Sequence, residues 1–429
     1  MTFIRSAVLC IASISFTASA QSQSATGIGL DDVDRQAASA PAVTSSAALA
    51  EALRTRISSA KRLPDPELQL GFMNRSLPSL APMDPLGMTQ IQLMQMVPVS
   101  GKLALAGKIA AGNASAAKAR SQDARWATSA KAAMSFYDLY AIGAQLEIAR
   151  ETKRIVQNVA KVSQAMYSVG EGAQADVLRS QVEIARMTED ITRMESMRIA
   201  MAAQLVAILN LDSDSGLTVV RRPLLPDTLP LLATLAAEAD RSRSMIDAAR
   251  QDVMAARLNE RLAQKEVWPD LQVGVQYGWR RSEMGVERMG SLMLGATIPV
   301  YARSRQLKMR EEAAAMRTMA ESELAAARAE TRGRIAALYA DFTRASNLRR
   351  LHSTTILPQA EATVTSSFAA YRVGNTNLMT LLDNQMTVNR YRQESIALEA
   401  AQGKAIAEIE MLIGRELFDH SAIRRNQND

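Results

Sequence analysis

YSVGEGAQADVLRSQ (Tyr167–Gln181) and YRVGNTNLMTLLDNQ (Tyr371–Gln385) are two versions of one pattern, with Tyr371 lying 204 positions after Tyr167. Other blocks repeat in the same order at almost the same spacing. PELQLGF (Pro66–Phe72) returns as PDLQVGV (Pro269–Val275), and VPVSGK (Val97–Lys102) returns as IPVYAR (Ile298–Arg303). Ordered blocks at one offset mean that a whole architecture is present twice. The copies span roughly residues 45–215 and 231–417, with a 21–44 extension before them and a 418–429 tail after them. A connector at 212–230 carries Pro223, Pro226 and Pro230.

Each copy opens with alternation of period two, the mark of a strand with one buried or lipid-facing side. Leu68, Leu70 and Phe72 share one face, and Leu271, Val273, Val275 and Tyr277 share its counterpart. After the linking stretches NRSLPSLAPMDPLG and GWRRSEMGVERMG, a second strand follows in each copy. Ile91, Leu93 and Val97 lie on one face, and Leu292, Leu294, Ala296 and Ile298 on the other copy's equivalent. The expected β-hairpins cover about 66–98 and 269–300, with Gln, Gly, Ser and Met opposite the apolar residues.

The chain then turns helical, over about 102–210 in copy one and 302–413 in copy two. Lys102 to Tyr167 holds no proline and would reach roughly 100 Å as one helix. Arg303 to Tyr371 is similar, with Pro358 as its expected interruption. The return helices carry a seven-residue apolar repeat: Val177, Ile184, Met187, Ile191, Met194, Met201, Leu205 and Ile208, matched by Leu381, Val388, Tyr391, Leu398, Ala405, Ile409 and Leu412. A 3.5-residue period predicts knobs-into-holes packing. Asn210 and Gly414 are placed to end these helices in left-handed geometry.

Composition agrees with long helices, since aromatic residues make up only 4% and leave little for a large aromatic core. Lys and Arg number 50 against 44 Asp and Glu, and the small excess is scattered, which points away from nucleic acid. Arg5, the apolar Ala7–Phe16 and Ala18-Ser19-Ala20 read as a secretory leader over 1–20, cleaved between Ala20 and Gln21. Leu9 before Cys10 is not the small residue a lipidation site needs. The only cysteine therefore leaves with the leader, excluding disulfides and thiolate metal sites from the rest.

Strands of about ten residues are long enough to cross a bilayer when tilted. One chain supplies only about four. An open sheet in lipid leaves edge N–H and C=O groups unpaired at several kcal/mol each, so further copies of the chain must close it. Eight strands would be filled by side chains, whereas twelve leave a pore.

The paired P-[DE]-L-Q-x-G and [VI]-P-V hairpins, YSVGEGAQADVL, YRVGNTNLMTLLD, ILPQAEAT and the terminal MLIGREL together resemble the TolC-like outer-membrane efflux factor family. The resemblance covers nearly all of the chain beyond the leader. It implies a mixed, mainly α fold: duplicated β-hairpins and long coiled-coil helices, assembled as a homotrimer into a 12-stranded β-barrel and an α-helical barrel. It implies a bacterial outer-membrane location with a large periplasmic part. The implied role is the exit duct of a tripartite efflux system, with a periplasmic adaptor (membrane fusion) protein and an inner-membrane pump of the resistance-nodulation-division type as partners.

The resemblance also assigns residues. Val169, Gly170, Val373 and Gly374 fall at the helix-hairpin tips, where the family's adaptor docks. Asp383 matches a pore-facing carboxylate, whose threefold ring would favour cations. A second family carboxylate falls at Thr380, where this sequence departs. The family's Tyr and its Asp acceptor match Tyr371 and Asp176, implying a hydrogen bond that holds the hairpins closed. The family's tip Arg falls at Thr376, a further departure. As a helix-start acid, Asp383 would instead simply favour the helix dipole.

Met73, Met83, Met88, Met94 and Met96 cluster in the first hairpin, with Met73, Met94 and Met96 expected on the inward face. Thioethers suit Cu(I) and Ag(I), although methionine also fills irregular packing space. With MTQIQLMQMVPVSGKL, this leans toward the heavy-metal-efflux branch, whose cargo includes copper, silver, cobalt, zinc or cadmium ions. His352 and His420 lack metal-ligand spacing, and there is no P-loop, G-x-S-x-G or H-E-x-x-H. The expectation is no enzyme, no cofactor and no bound metal. The competing readings are a periplasmic coiled-coil adaptor or structural protein without a channel, and a general porin, which would need many more strands and no long helices.

Overall fold

The computed structural model describes residues 28–79, 81, 83, 87–212, 220–282 and 285–418. The expected leader, with Ala20 and Gln21, and His420 lie outside them.

Two short helices, α1 (Leu30–Ala37) and α2 (Pro41–Ala60), come first. Strands β1 (Glu67–Met73) and β2 (Met88–Val97) follow, then the long helix α3 (Lys102–Ser168) and its return α4 (Gln174–Leu209). The second half repeats the plan: α5 (Leu232–Ser242), α6 (Ser244–Lys265), β3 (Asp270–Ser282), β4 (Gly285–Thr297), α7 (Gln306–Leu351), α8 (Leu357–Arg372) and α9 (Leu378–Ile413). The molecule is thus mainly helical with one small sheet.

Two departures from the sequence reading have local causes. The second linking stretch is strand over Gly278–Ser282 and Gly285–Gly290, so β3 and β4 pair from Asp270–Thr297 out to Ser282–Gly285. It contains no proline, whereas the link in copy one has Pro78, Pro82 and Pro85, which cannot donate to a ladder. The break near Pro358 is a π-helical turn at His352–Ile356, just ahead of it. A proline at the start of α8 needs no N–H donor there, and the extra residue of the π turn releases the carbonyl that its ring would strike.

The core is a set of helix seams. Helix α3 is the hub, packed against α2, α4, α6 and α9, while α7 leans on α5, α6 and α9. Val177, Met187, Ile191 and Leu205 of the first heptad stripe are buried, as are Leu381, Val388, Leu398, Ala405, Ile409 and Leu412 of the second. Phe136 and Tyr137 meet edge to face at 5.6 Å in the widest cluster, where α1, α3, α4 and α9 converge. Asn210 and Gly414 end α4 and α9 with φ of 52° and 71°, the left-handed caps their residue types favour.

Candidate functional site: sheet edges and helix tips

The four strands form one antiparallel sheet in the order β1-β2-β3-β4. Its register decides the chemistry of each face. Leu68 lies opposite Leu93, which lies opposite Val275, which lies opposite Leu292. Leu70, Ile91 and Tyr277 make the next row, while Val273 pairs with Leu294 and Leu271 with Ala296. One face is therefore mainly apolar, with Gln95 beside Val273 and Arg288 beside Trp279 as its polar interruptions. It is uncovered, with Leu68 at 71% and Leu294 at 77% exposure. The opposite face carries Gln69, Gln92, Gln276 and Ser291 in one row, with glycines at Gly71, Gly274, Gly278 and Gly295. Met73, Met88, Met94, Met96, Met289 and Met293 stand on that face too, so the second hairpin adds methionines to those of the first. Strands β1 and β4 each have a partner on one side only. No helix among the described residues is long and apolar enough to cross a membrane.

At the other end of the helices, the duplicated pattern becomes a duplicated turn. Glu171 N–H donates to the Met166 carbonyl at 2.9 Å, and Asn375 N–H donates to the Ala370 carbonyl at 2.9 Å. Gly170 and Gly374 sit inside these turns at φ of 79° and 73°, where a side chain would be strained. The turns push Val169 and Val373 outward, each 69% exposed.

Just above the tip, Val156, Val159, Tyr371, Leu378, Leu381 and Leu382 form a local core. The Tyr371 hydroxyl is only 4% exposed as a residue and lies 2.8 Å from the Ser163 hydroxyl. Within one chain the Tyr371 hydroxyl is hydrogen-bonded to Ser163 of α3, and the Asp176 charge acts on it. Burial pushes the Tyr371 hydroxyl above the usual tyrosine range, the Ser163 bond opposes this, and the Asp176 charge adds to it. Asp176 belongs to the first turn of α4, where a carboxylate suits the helix dipole. Ser163 repeats as Ser367 at the same 204-residue spacing, but nothing in that repeat marks it as the partner of Tyr371.

Asp383 lies on the exposed side of α9, opposite the buried Leu381 and Leu382. It is the sixth residue of the helix, beyond the first turn, so the dipole gives little reason for its charge. Thr380, also exposed, is tied to the helix start: its N–H and hydroxyl both donate to Asn377 Oδ1 at 2.9 Å. Tyr371, Asp176, Thr380 and Asp383 thus gather near one tip, with Tyr371 facing inward and Asp383 and Thr380 outward. Among the described residues no group of His, Cys, Asp and Glu is arranged to hold a metal ion.

Residues 235–415, from α5 to the end of α9, match the family model described as outer membrane efflux protein. No curated protein matches the sequence. Among solved structures, the outer membrane protein VceC of Vibrio cholerae superposes with a TM-score of 0.76 at 16% identity, covering 91% of this chain and 97% of its own. The Campylobacter jejuni CmeC outer membrane channel gives 0.72 at 11% identity, over 93% of this chain and 89% of its own. The open-state MtrE outer membrane channel of Neisseria gonorrhoeae gives 0.72 at 13%, over 90% and 89%. The resemblance is therefore to the outer membrane efflux protein family, in sequence across the second copy and in fold across nine-tenths of the chain.

Proposed function

We propose that this chain is one third of a homotrimeric exit duct in a bacterial outer membrane, the last element of a tripartite efflux system. One observation carries the reading: a four-stranded sheet with two unpaired edges and an uncovered apolar face. In water that face invites aggregation, and in lipid those edges cost several kcal/mol per unpaired group. Both problems vanish if three copies close a 12-stranded barrel in lipid, with the Gln- and Gly-bearing face lining the lumen. The helices then extend the lumen into the periplasm. The family match and the fold likeness support the same reading.

In this duct Val169, Gly170, Val373 and Gly374 form the adaptor-docking tips, and the inner-membrane pump supplies the energy. Three copies of Asp383 ring the axis near the constriction and favour cations. Tyr371, Asp176 and Thr380 belong to the same gate. Heavy-metal cations are the cargo we favour, because six thioethers stand on the face that becomes the lumen wall.

Purification in detergent tests the assembly: particles of three chains with a continuous axial cavity are expected, and single-chain particles would overturn it. In planar-bilayer recordings, Asp383→Asn should lower the preference for cations over anions. Unchanged selectivity would remove Asp383 from the pore.

A further inference from the structure

We infer that Arg303 of one chain pairs with Glu67 of the partner subunit, and that this pair sets the order in which the sheets close. The inference rests on the ring assembly proposed above and deepens it. Its basis is a contact that the two copies already make inside one chain.

Where copy one meets copy two, below strands β2 and β3, Lys102 is buried at the first position of α3. Its Nζ donates to Asp270 Oδ1 at 2.9 Å and to the Trp268 carbonyl at 3.0 Å, with Glu266 Oε2 at 3.5 Å. The lysine comes from the strand-to-helix exit of copy one, and the acceptors come from the helix-to-strand entry of copy two. Duplication supplies a second basic residue and a second carboxylate for Asp270, while Glu266 has Leu63 at its equivalent place. VPVSGK aligns with IPVYAR, so Lys102 corresponds to Arg303. PDLQVGV aligns with PELQLGF, so Asp270 corresponds to Glu67. The sign of the charge is kept at both of these positions.

Arg303 and Glu67 are both exposed, and neither side chain makes a hydrogen bond or ion pair among the described residues. They cannot meet within one chain. Glu67 opens β1 and Arg303 follows β4, at opposite edges of the sheet. Three strand spacings of about 4.8 Å separate those edges. Yet both lie at the helix end of the sheet. In a ring, the β4 edge of one chain meets the β1 edge of the next, as β2 meets β3 inside each chain. Arg303 then stands to Glu67 as Lys102 stands to Asp270.

Charge reinforces the order. Asp65 joins Glu67 beside the β1 edge, with Lys61 and Arg62 further back at the end of α2, and Arg305 joins Arg303 beside the β4 edge. An acidic edge accepts a basic one and repels its own kind. Two chains joined through like edges are disfavoured, while head-to-tail rings are favoured. Arginine suits this exposed version, because its planar fork grips a carboxylate through two bonds.

Charge reversal in the full-length chain tests the pairing. An exposed ion pair is worth up to about a fivefold change in an equilibrium constant, and three seams act together. Glu67→Arg or Arg303→Glu alone should therefore shift the monomer–trimer equilibrium roughly 100-fold toward monomer in detergent. The double reversal should restore assembly to near the parent level. Glu67→Cys with Arg303→Cys offers a second readout that leaves folding largely alone: a short bis-maleimide should give dimer and trimer bands on denaturing gels. A trimeric parent whose assembly ignores both single reversals, and whose cysteine pair stays uncross-linked, overturns the pairing and leaves the duct standing. A monomeric parent overturns both.

Discussion

Helices α4 and α9 repeat one heptad pattern, yet their surroundings differ. Helix α4 rests on α3 and touches α1, while α9 is held by α3, α5, α7 and α8. A heptad stripe specifies one seam. The further seams of α9 involve residues outside the stripe, some changed between the copies and some shared but differently surrounded. Gly403 lies where α4 has Ile199, and Glu399 where α4 has Glu195. A Cβ at Gly403 would run into the Tyr137 ring, whereas Ile199 is 65% exposed. Duplication thus copied a hairpin, and the inner position then demanded small residues and buried polar partners of one copy only.

The sharpest way to break this comparison is to fill the close approach. Gly403→Val should cost about 3 kcal/mol or more, because Tyr137 is fully buried and has nowhere to move. The matched change Ile199→Ala should stay within about 0.5 kcal/mol in the isolated chain. Thermal unfolding of the two variants decides it, and equal losses would mean that the helices are not differently enclosed.

The paired glutamates offer the next test. Glu399 has 6% side-chain exposure. It accepts from Arg222 at 3.0 and 3.1 Å and from the Tyr140 hydroxyl at 3.0 Å. Burial, with the Glu399 charge second, pushes that hydroxyl up to about 12. Glu195 instead has 42% side-chain exposure and pairs with Arg150 at 2.7 Å. Removing one partner of a buried charge costs about 3–5 kcal/mol when nothing replaces it. Tyr140 remains, and Arg349 waits at 4.0 Å. Arg222→Ala should therefore cost about 2 kcal/mol, and Arg150→Ala about 0.5 kcal/mol or less. Similar losses in denaturant titrations would put both glutamates in the same environment.

The sequence shows the duplication, the strand faces, the long helices and the tip glycines, because each is a short-range pattern repeated. It shows little of α2, whose alanines and serines carry no firm period. Nor does it show which return helix is enclosed, since the heptads of Val177 and Leu381 read alike and the difference lies in distant neighbours. Within the candidate site, Tyr371 stands out by its place in the repeat. Its partner Ser163 does not, because the hydroxyl is supplied by α3, 208 positions away, and reaches Tyr371 only through packing.

The smallest effect lies at the tips, where one of the differences between the copies is a helix cap. Asn377 precedes α9 in extended geometry, and its side chain accepts from Thr380 N–H at 2.9 Å. Its counterpart Ala173 precedes α4 at φ −86° and ψ 141°, the same backbone region, with no side chain to accept. Asn377→Ala should cost about 1 kcal/mol, and Ala173→Asn should gain up to that amount. Hydrogen exchange of the first turn of each helix reads the change locally. If Ala173→Asn slows exchange in α4 to the rate of α9, one cap accounts for the difference between the tips. If α4 still opens faster, the looser tip reflects its fewer neighbours, and the contrast in packing between α4 and α9 extends to the end of the hairpin.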